Sequence, residues 1–377
     1  MIIMKFVIEK SVFVKGVSKI QGITGRKTDF PITSSALIRA QGMNVSVYAT
    51  DLETGFEGFY EADVETEGQV AVLSKKLFEI IKDFPSNFIQ LETVEGKMLK
   101  ISASDEVTKA EYHMLCTNPD DFTILTAIDD LVFHELDALI LKEMIEKTLI
   151  TGITDDERAH LSGLYMEIPE ENNSILRIIS TDGHRLIKID RTCEIKVDIP
   201  MDKGILLSKK GMSDLLKLLE SGGQLEIGFR ENNFVAKKAQ ETIVSQLLEG
   251  DFPDYKEVIP EPIDTRMKIS KQTFLSLMKR MMILSNDRFR AVVFNIQSDR
   301  IEISATNPEI GDSKEELPID NNGATFEAAF NPRFFIDSLN EISCETIILK
   351  MANEEEPCVM YGEDDPDFIS VIMPMTV

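Results

Sequence analysis

The sequence predicts an α+β protein built from three homologous domains. A strand that ends in a polar turn recurs at Thr50, Thr181 and Thr306, so the copies are 131 and 125 residues apart. In each copy a later apolar run leads into a helix with cap chemistry at its start, 24, 27 and 25 residues after the threonine. The length of 377 residues also suggests two or three domains. Agreement in order, spacing and cap chemistry therefore favours a domain-sized repeat.

The domain boundaries are predicted where the patterns restart. One boundary is at Thr126–Asp130, after a strand and the polar segment Asn118–Asp121. The other is at Pro260–Asp264, a proline-bearing stretch typical of a linker. The predicted domains are residues 1–127, 130–259 and 264–377.

The first repeat begins with a helix over 9–24, because Val14, Val17 and Ile20 recur at helical spacing among lysines. A hairpin of strands at 36–40 and 45–49 follows. Ser74 is predicted to cap a helix that runs to Asp83. The remaining predicted strands of this repeat are 69–73, 88–94, 97–103 and 110–116.

The same order recurs twice more. Residues 204–220 match 69–82, since in both segments an apolar strand reaches Leu-Ser-Lys-Lys and a helix rich in Leu and Ile follows. In the third repeat Asn331 and Pro332 form an N-cap and first-turn pair. The other predicted elements are a helix at 136–150, a strand at 162–168, a helix at 271–284 and a hairpin over 291–305.

Composition restricts the class of protein. The net charge of −25 argues against a simple basic nucleic-acid binder, although net charge says little about individual faces. Four cysteines lie far apart without a C-x-x-C pair, which favours unpaired thiols in a reducing compartment. No apolar run approaches the roughly 20 residues of a membrane span. The sequence predicts a soluble intracellular protein without a membrane partner.

Asp182 beside His184 invites a catalytic interpretation, in which an acid orients an imidazole. Neither a nucleophile elbow nor a phosphate-binding loop accompanies the pair. The four histidines lack metal-ligand spacing, so neither a metal nor a cofactor is expected. A polar turn that closes a strand is the preferred interpretation and no enzymatic activity is expected, while a hydrolase using Asp182 and His184 is kept as an alternative.

Charge is segregated between the predicted helices and the rest of the chain. The six helical segments carry a net charge of +7, which leaves −32 elsewhere. This segregation indicates one mildly basic surface on an acidic body, suited to hold a polyanion loosely and without sequence preference. Ordinary solvated helix faces would give a structural repeat protein without DNA contact, which is a second alternative.

The C-terminus is apolar where chain ends are usually polar. Val371-Ile-Met-Pro-Met-Thr-Val377 fits a buried last strand, or a groove lined by methionine that accepts partner peptides. Sequence patterns leave both interpretations open.

Several motifs resemble those of the bacterial β sliding clamp, the processivity subunit of the replicative DNA polymerase. The resemblance covers essentially the full length. It implies the DNA-clamp fold and a head-to-tail homodimer, in which two chains close a six-domain ring with helices inside and sheets outside. The motifs are TDGHRL (181–186), FPDY followed by VIP (252–255 and 258–260), ILSNDRFR (283–290), ATNPE (305–309) and VIMPM (371–375).

The resemblance also implies functional residues. A pocket for partner peptides would lie between the second and third domains, and would use Leu161, Thr181, Gly183, His184, Arg185, Leu186, Pro253, Val258, Val371, Met373, Pro374 and Met375. The residues facing DNA would be Arg26, Lys75, Lys76, Lys209 and Lys210. Dimer contacts would pair Tyr112 and Met114 of one chain with Ile283 and Leu284 of the other.

The partners implied by the resemblance are encircled duplex DNA, the polymerase catalytic subunit, the clamp-loader complex and other replication and repair proteins. The implied location is the bacterial cytoplasm, in association with the nucleoid. The sequence departs from the family pattern at Glu257, where relatives often carry Arg, and at Thr376-Val377, where Arg-Leu is common.

Overall fold

The computed structural model describes residues 4–25, 30–105, 109–122, 131–151, 163–193, 204–230, 232–260, 265–285, 291–321, 323 and 325–376. The α-helices in this part of the chain are α1 Lys10–Lys19, α2 Ser74–Lys82, α3 Ala138–Thr148, α4 Lys209–Leu219, α5 Lys271–Leu284 and α6 Pro332–Glu341. None of these helices combines the length and the apolar character needed to cross a membrane.

Strands make up most of the remaining regular structure. The strands are β1 Lys5–Glu9, β2 Ser35–Gln41, β3 Asn44–Thr50, β4 Thr54–Glu61, β5 Asp63–Thr66, β6 Gly68–Leu73, β7 Phe88–Val94, β8 Met98–Ala103, β9 Glu111–Thr117, β10 His134–Asp137, β11 Gly163–Glu167, β12 Ile175–Thr181, β13 Arg185–Thr192, β14 Ile205–Ser208, β15 Gln224–Arg230, β16 Asn233–Lys238, β17 Glu241–Gln246, β18 Met267–Ser270, β19 Val292–Ile296, β20 Arg300–Asn307, β21 Gly311–Pro318, β22 Phe326–Phe330, β23 Thr346–Lys350, β24 Cys358–Gly362 and β25 Asp365–Ile372.

The chain forms two compact units. The first unit contains the described residues of Met1–Lys142 and Leu207–Leu247, and the second contains those of Glu143–Cys193, Met201–Leu206 and Leu248–Val377. The middle third of the chain therefore contributes to both units. This division cuts across the predicted second domain, because strands of that region pair with strands of either neighbour.

The first unit is built on one antiparallel sheet, whose strand order is β10-β15-β16-β17-β4-β3-β2-β6-β9-β8-β7-β1-β5. The pairing of β17 with β4, from Glu241 opposite Gly58 to Ser245 opposite Thr54, joins residues 183 to 191 positions apart in the sequence. Helix α1 packs against both α2 and α4. Buried apolar side chains of α1 and α2, such as Phe13 and Leu77, cover the sheet.

The second unit contains two antiparallel sheets. The larger has the order β14-β11-β12-β13-β25-β24-β23-β18, and the smaller has the order β21-β20-β19-β22. Strand β13 pairs with β25 from Arg185 opposite Ile372 to Ile189 opposite Phe368. Helices α5 and α6 pack together over an aromatic core in which Phe274, Phe294, Phe330 and Phe335 approach one another with ring centroids 5.3–6.2 Å apart.

Two of the three predicted helix caps are confirmed. The Ser208 hydroxyl accepts a hydrogen bond from the Gly211 N–H at 2.9 Å, and the Asn331 side chain accepts one from the Arg333 N–H at 3.0 Å. The prediction for Ser74 was wrong. Ser74 is the first residue of α2, and its hydroxyl accepts from Nε2 of Gln21 at 2.9 Å instead.

The predicted strands of the first repeat are confirmed within one or two residues, and β7 has the predicted bounds of 88–94. The first helix is shorter than predicted, since α1 covers Lys10–Lys19 and a 3₁₀ turn follows at Ile23–Gly25. Helix α3 begins at Ala138 after the short strand β10, which the predicted helix at 136–150 had partly absorbed. The boundary prediction at Thr126–Asp130, and the segment 261–264 of the other, lie outside the described residues.

Candidate functional site

Asp182 organises the turn that follows strand β12. Its Oδ1 accepts hydrogen bonds from the backbone N–H groups of His184 and Arg185, both at 3.0 Å. The Thr181 hydroxyl donates to the carbonyl oxygen of Arg185 at 2.7 Å and accepts from the Gly183 N–H at 3.1 Å. Gly183 has a φ of +83°, a left-handed conformation that favours glycine. The turn is therefore held by its own side chains.

The guanidinium of Arg185 is buried and binds several elements of the second unit. Its Nε donates to Oδ2 of Asp182 at 2.9 Å, and a terminal nitrogen donates to Oδ2 of Asp337 at 2.8 Å. The other terminal nitrogen donates to the carbonyl oxygen of Ile150 at 2.8 Å. The guanidinium carbon also lies 4.5 Å from the centroid of the Phe334 ring on α6. Two carboxylates pair with the buried cation, and these contacts fix the position of the arginine behind the turn.

An apolar cluster adjoins the turn. Leu186 of β13 lies opposite Val371 of β25, and both side chains are buried. The buried members of the cluster are Ile179, Leu186, Tyr255, Val359 and Val371, and the half-buried side chains packed against them are Tyr165, Phe252, Val258, Ile259, Tyr361 and Ile369. The cluster forms one apolar wall beside the turn at 181–185.

Tyr255, a buried member of this wall, is held in place by polar contacts of its hydroxyl group. The phenol donates to a carboxylate oxygen of Glu167 and accepts from a terminal nitrogen of Arg177 at 2.9 Å. Arg177 also forms a two-point ion pair with Asp190, at 2.8 and 2.9 Å. Burial, reinforced by Glu167, raises the pKa of Tyr255. Burial also raises the pKa of the neighbouring Tyr165 to about 12, with a smaller effect from Glu167, so both phenols stay neutral.

The C-terminal segment after β25 connects this wall to the smaller sheet. The Met373 N–H donates to the carbonyl oxygen of His184 at 2.9 Å, and the Met375 N–H donates to that of Ala329 on β22 at 2.7 Å. Beyond it lies a cavity of about 680 Å³. The cavity is lined by Val293, Glu327, Ala328, Ala329, Glu354, Glu355, Met373, Pro374, Met375 and Thr376.

The structure therefore brings most of the predicted pocket residues into one region of the second unit. Thr181, Gly183, His184, Arg185 and Leu186 form the turn and the start of β13, while Val371, Met373, Pro374 and Met375 lie on the adjoining strand and segment. Val258 packs on the apolar cluster, and Pro253 is exposed beside the half-buried Phe252. Leu161 lies outside the described residues.

Sequence reasoning missed several members of this region. Tyr255 and Phe252 belong to the FPDY motif, from which only Pro253 entered the predicted pocket. The Tyr165 and Phe252 rings stack with centroids 4.8 Å apart. Ile179 and Val359 carry no local signal, because their place in the cluster depends on pairing across the sheet.

The predicted DNA-facing lysines fall on two helices of the first unit. Lys75 and Lys76 are exposed at the start of α2, and Lys76 forms an exposed ion pair with Glu79 at 2.6 Å. Lys209 and Lys210 begin α4 and are half-buried. Lys15 of α1, the helix that packs between α2 and α4, is also exposed and was not singled out from the sequence. Arg26 lies outside the described residues.

Lys210 differs from the other lysines in its environment. Its ammonium forms an ion pair with Asp51, whose side chain is only 4% exposed. A cation paired with a buried carboxylate contributes less to an open electrostatic surface than an exposed one. The geometry therefore distinguishes a structural Lys210 from the exposed pair Lys75 and Lys76.

The predicted dimer residues lie on strand β9 and at the end of helix α5. Ile283 at the end of α5 is 73% exposed, and Tyr112 on β9 is 45% exposed with its ring centroid 5.9 Å from that of Phe84. Met114 is buried, whereas its neighbour Leu115, absent from the predicted set, is 72% exposed. Residues 111–115 of β9 pair with β8 along one edge, while β6 pairs only with 116–117. Leu284 is half-buried.

The geometry does not favour the hydrolase alternative. One oxygen of Asp182 accepts from backbone N–H groups and the other accepts from Arg185. The carboxylate is thus committed to the turn and to the guanidinium, whereas a catalytic dyad would need it to orient the imidazole of His184.

Three family models match consecutive parts of the chain. The N-terminal domain of the DNA polymerase III beta subunit matches residues 4–126, its central domain matches 135–254, and its C-terminal domain matches 256–376. Together they span nearly the whole sequence in the order that the repeat predicts.

Relatives and solved structures of similar length agree. The chain is 26% identical over 376 residues to the beta sliding clamp of Pseudomonas aeruginosa and 28% identical over 381 residues to that of Vibrio cholerae, covering 99% of this chain and all of each relative. A beta sliding clamp of Caulobacter crescentus with bound PEG superposes with a TM-score of 0.92 at 26% identity, covering 100% of this chain and 99% of that one. A sliding clamp of P. aeruginosa bound to griselimycin gives 0.89 at 26% identity, with 99% and 100% covered.

Proposed function

The chain belongs to the DNA polymerase III beta-subunit family and is a DNA sliding clamp, and we propose that it encircles duplex DNA as a head-to-tail homodimer. Each chain would supply three domains to a closed ring. A ring is retained on DNA by topology, so it needs only weak phosphate contacts, and an acidic body would discourage DNA from binding elsewhere. The net charge of −25 together with exposed lysines on α1 and α2 is consistent with this division.

The proposed ring positions the protein's partners on DNA without catalysis of its own. Its partners are the polymerase catalytic subunit, the clamp loader and other replication and repair proteins. They would bind through short peptide segments at one surface, which we term the partner groove. Its residues are Thr181, Gly183, His184, Arg185, Leu186, Pro253, Val258, Val371, Met373, Pro374 and Met375, together with Leu161 from the sequence prediction. This role places the protein in the bacterial cytoplasm, at the nucleoid.

The observation that carries the partner groove is the C-terminal segment. Met373 and Met375 are half-buried, and their backbone N–H groups tie the segment to His184 on one side and to Ala329 on the other. Flexible thioethers over an apolar wall suit extended peptides that differ in sequence. The turn at 181–185, stiffened by Arg185, keeps the wall in place before a peptide arrives.

The partner groove is tested by replacing Met373 and Met375 together with Ala. We expect binding of a polymerase-derived peptide to weaken at least tenfold, because two apolar contacts are lost, while the homodimer persists in light scattering. A matched control is Met43→Ala, which removes an exposed methionine in the first unit. Equal loss of peptide binding and of dimerisation would contradict the assignment.

Encirclement is tested by loading the clamp on nicked circular DNA with an ATP-driven loader and then linearising the DNA. We expect rapid loss of the clamp from linear DNA, because a ring can slide off a free end. Unchanged dissociation would contradict a topological link. Light scattering of the free protein should give twice the chain mass of 42.5 kDa.

The exposed lysines are tested by charge reversal of Lys75 and Lys76. We expect less efficient loading and a weaker salt dependence of DNA binding, since phosphate contacts release counterions. Reversal of the exposed Lys97 and Lys268 gives the same change in net charge and should leave loading unchanged. An equal effect of both pairs would indicate bulk charge, not a DNA-facing surface.

A further inference from the structure

The cavity beside the C-terminal segment has a composition that limits what it can bind. Its base is apolar, since Ala328 and Ala329 are buried and Met373, Pro374 and Met375 are half-buried. Its rim carries the carboxylates of Glu327, Glu354 and Glu355, all three of them exposed. The described residues that line the cavity include neither Lys nor Arg.

The rim carboxylates are available to a ligand. Within the part of the chain that the structure describes, Glu327, Glu354 and Glu355 form no ion pair. Lys350 and Arg333, on adjoining elements, do not line the cavity: Lys350 lies 5.8 Å from the Tyr361 ring centroid, and Arg333 lies 3.9 Å from a carboxylate oxygen of Asp337. Three like charges around one opening leave a negative potential over an apolar base.

The loop that carries Val258, on the far side of the C-terminal segment, is also acidic. Its exposed carboxylates are Glu249, Asp251, Asp254 and Glu257, and Lys256 is exposed among them. The cavity formed by β22 and the loop at 354–355 differs in that its described lining includes carboxylates and no ammonium or guanidinium group. A peptide that crosses Met373 and Met375 would meet this rim with the residues that flank its apolar anchors.

We propose that this cavity selects partner peptides that carry Lys or Arg next to their apolar anchor residues, and disfavours peptides flanked by Asp or Glu. The inference rests on the proposed partner groove and adds the charge of its ligand. Apolar anchors fill the methionine-lined base, while flanking cations pair with Glu327, Glu354 and Glu355. Exposed pairs of this kind are individually weak, so selectivity arises from three acting together.

Binding of three labelled peptides measured by fluorescence anisotropy tests the proposal. Each has a central Leu-Ala-Leu-Phe, flanked on both sides by two Lys, two Gln or two Glu. At low ionic strength we expect the Lys peptide to bind about tenfold more tightly than the Glu peptide, with the Gln peptide between them. At 1 M NaCl the ratio should fall to about twofold, since the Debye length is then only about 3 Å.

A matched pair of variants locates the effect. The triple variant Glu327→Gln, Glu354→Gln and Glu355→Gln should bind the Lys and Glu peptides with affinities within about twofold of each other. The control variant Glu53→Gln, Glu61→Gln and Glu135→Gln changes three exposed glutamates of the first unit by the same net charge and should keep the tenfold ratio. Circular dichroism and the unfolding midpoint show that both variants retain the fold.

The outcomes separate the inference from the proposed function. Equal binding of the Lys and Glu peptides, or tighter binding of the Glu peptide, overturns the charge preference while leaving the partner groove intact. A preference that survives the triple variant assigns it to other residues and also overturns the inference. If none of these peptides binds, and the Met373→Ala, Met375→Ala variant binds the polymerase-derived peptide as tightly as the parent does, the groove and the inference that rests on it both fail.

Discussion

The turns at Thr50–Thr54 and Thr181–Arg185 are two copies of one structure with different tasks. In the first, the Thr50 hydroxyl accepts from the Leu52 N–H at 2.9 Å, and Oδ1 of Asp51 accepts from the Glu53 and Thr54 N–H groups. In the second, Thr181 and Asp182 accept from the equivalent N–H groups. The third residue has a φ of +80° in one copy and +83° in the other. The backbone is therefore the same.

The copies differ in the partner of the second carboxylate oxygen. Asp51 pairs with Lys210 at the start of α4, whereas Asp182 pairs with Arg185 from its own turn. Arg185 then reaches Asp337 and the ring of Phe334. The first copy thus ties a helix to the turn, and the second stiffens a wall beside the proposed partner groove. If the proposed groove is correct, one repeated turn serves packing in one place and recognition in another, according to which cation its carboxylate holds.

The largest expected effect comes from Asp182→Ala. The change removes the acceptor of two backbone N–H groups and leaves the buried Arg185 with one carboxylate fewer, so we expect a loss of about 3 kcal/mol in the free energy of unfolding. Chemical denaturation measures it, and peptide affinity should fall with it. Asp182→Asn retains an oxygen for both backbone bonds and should cost about half as much. Equal costs for the two variants would show that the turn contributes nothing beyond the ion pair.

In the first copy, Lys210→Met should cost about 2 kcal/mol, because it leaves the carboxylate of Asp51 buried without its partner. Lys75→Met, at an exposed site, should stay within about 0.5 kcal/mol of the parent. The double variant with Asp51→Asn should recover most of the loss, since no charge is then left unpaired. Thermal unfolding provides the measurement. A loss at Lys75 as large as that at Lys210 would refute a special role for the pair.

Sequence reasoning predicted the features that depend on neighbours along the chain. The recurring Thr-Asp and Thr-Asn turns, the strand at 88–94 and the caps at Ser208 and Asn331 all rest on local chemistry. The same reasoning failed at Ser74, because the Ser74 hydroxyl accepts a hydrogen bond from the side chain of Gln21, 53 residues earlier in the sequence. Local patterns cannot reveal a competing contact of this kind.

The candidate site shows the same limit. The motif at 181–186 marked the turn, and the apolar C-terminus marked a possible groove, yet neither indicated that Arg185 binds Asp337, 152 residues further along the chain. Pairing of β13 with β25 brings the two segments together, and strand register over such distances is set by tertiary packing. The acidic rim of the cavity likewise combines residues from separate elements.

A smaller effect should distinguish the two turns at their third residue. Gly183→Ala places a Cβ in open space, so its cost of about 1 kcal/mol is purely conformational. Leu52→Gly removes the Cβ that strains the left-handed backbone and should stabilise the protein by about 0.5 kcal/mol. The gain is small because glycine has more conformational freedom in the unfolded chain. Unfolding midpoints that move in opposite directions would confirm that both copies hold the same left-handed residue, whereas a shift of the same sign would contradict it.

The smallest effect concerns Arg191, at the other end of the strand that begins with Arg185. Arg191 and Lys147 both bind Glu143 at 2.7 Å, and the hydrogen bond from Arg191, with a smaller contribution from Lys147, lowers the pKa of Glu143 to about 2. A carboxyl whose pKa is depressed by folding stabilises the protein above its unfolded pKa of about 4.5, and that contribution disappears as the pH falls from about 4.5 towards 2. Glu143→Gln should therefore flatten the decline in stability across this window, by well under 1 kcal/mol because the carboxylate is partly exposed. Glu135→Gln, at an exposed site in the first unit, should leave the decline unchanged. If stability depends on pH identically in Glu143→Gln and the parent across this window, water screens the cluster completely.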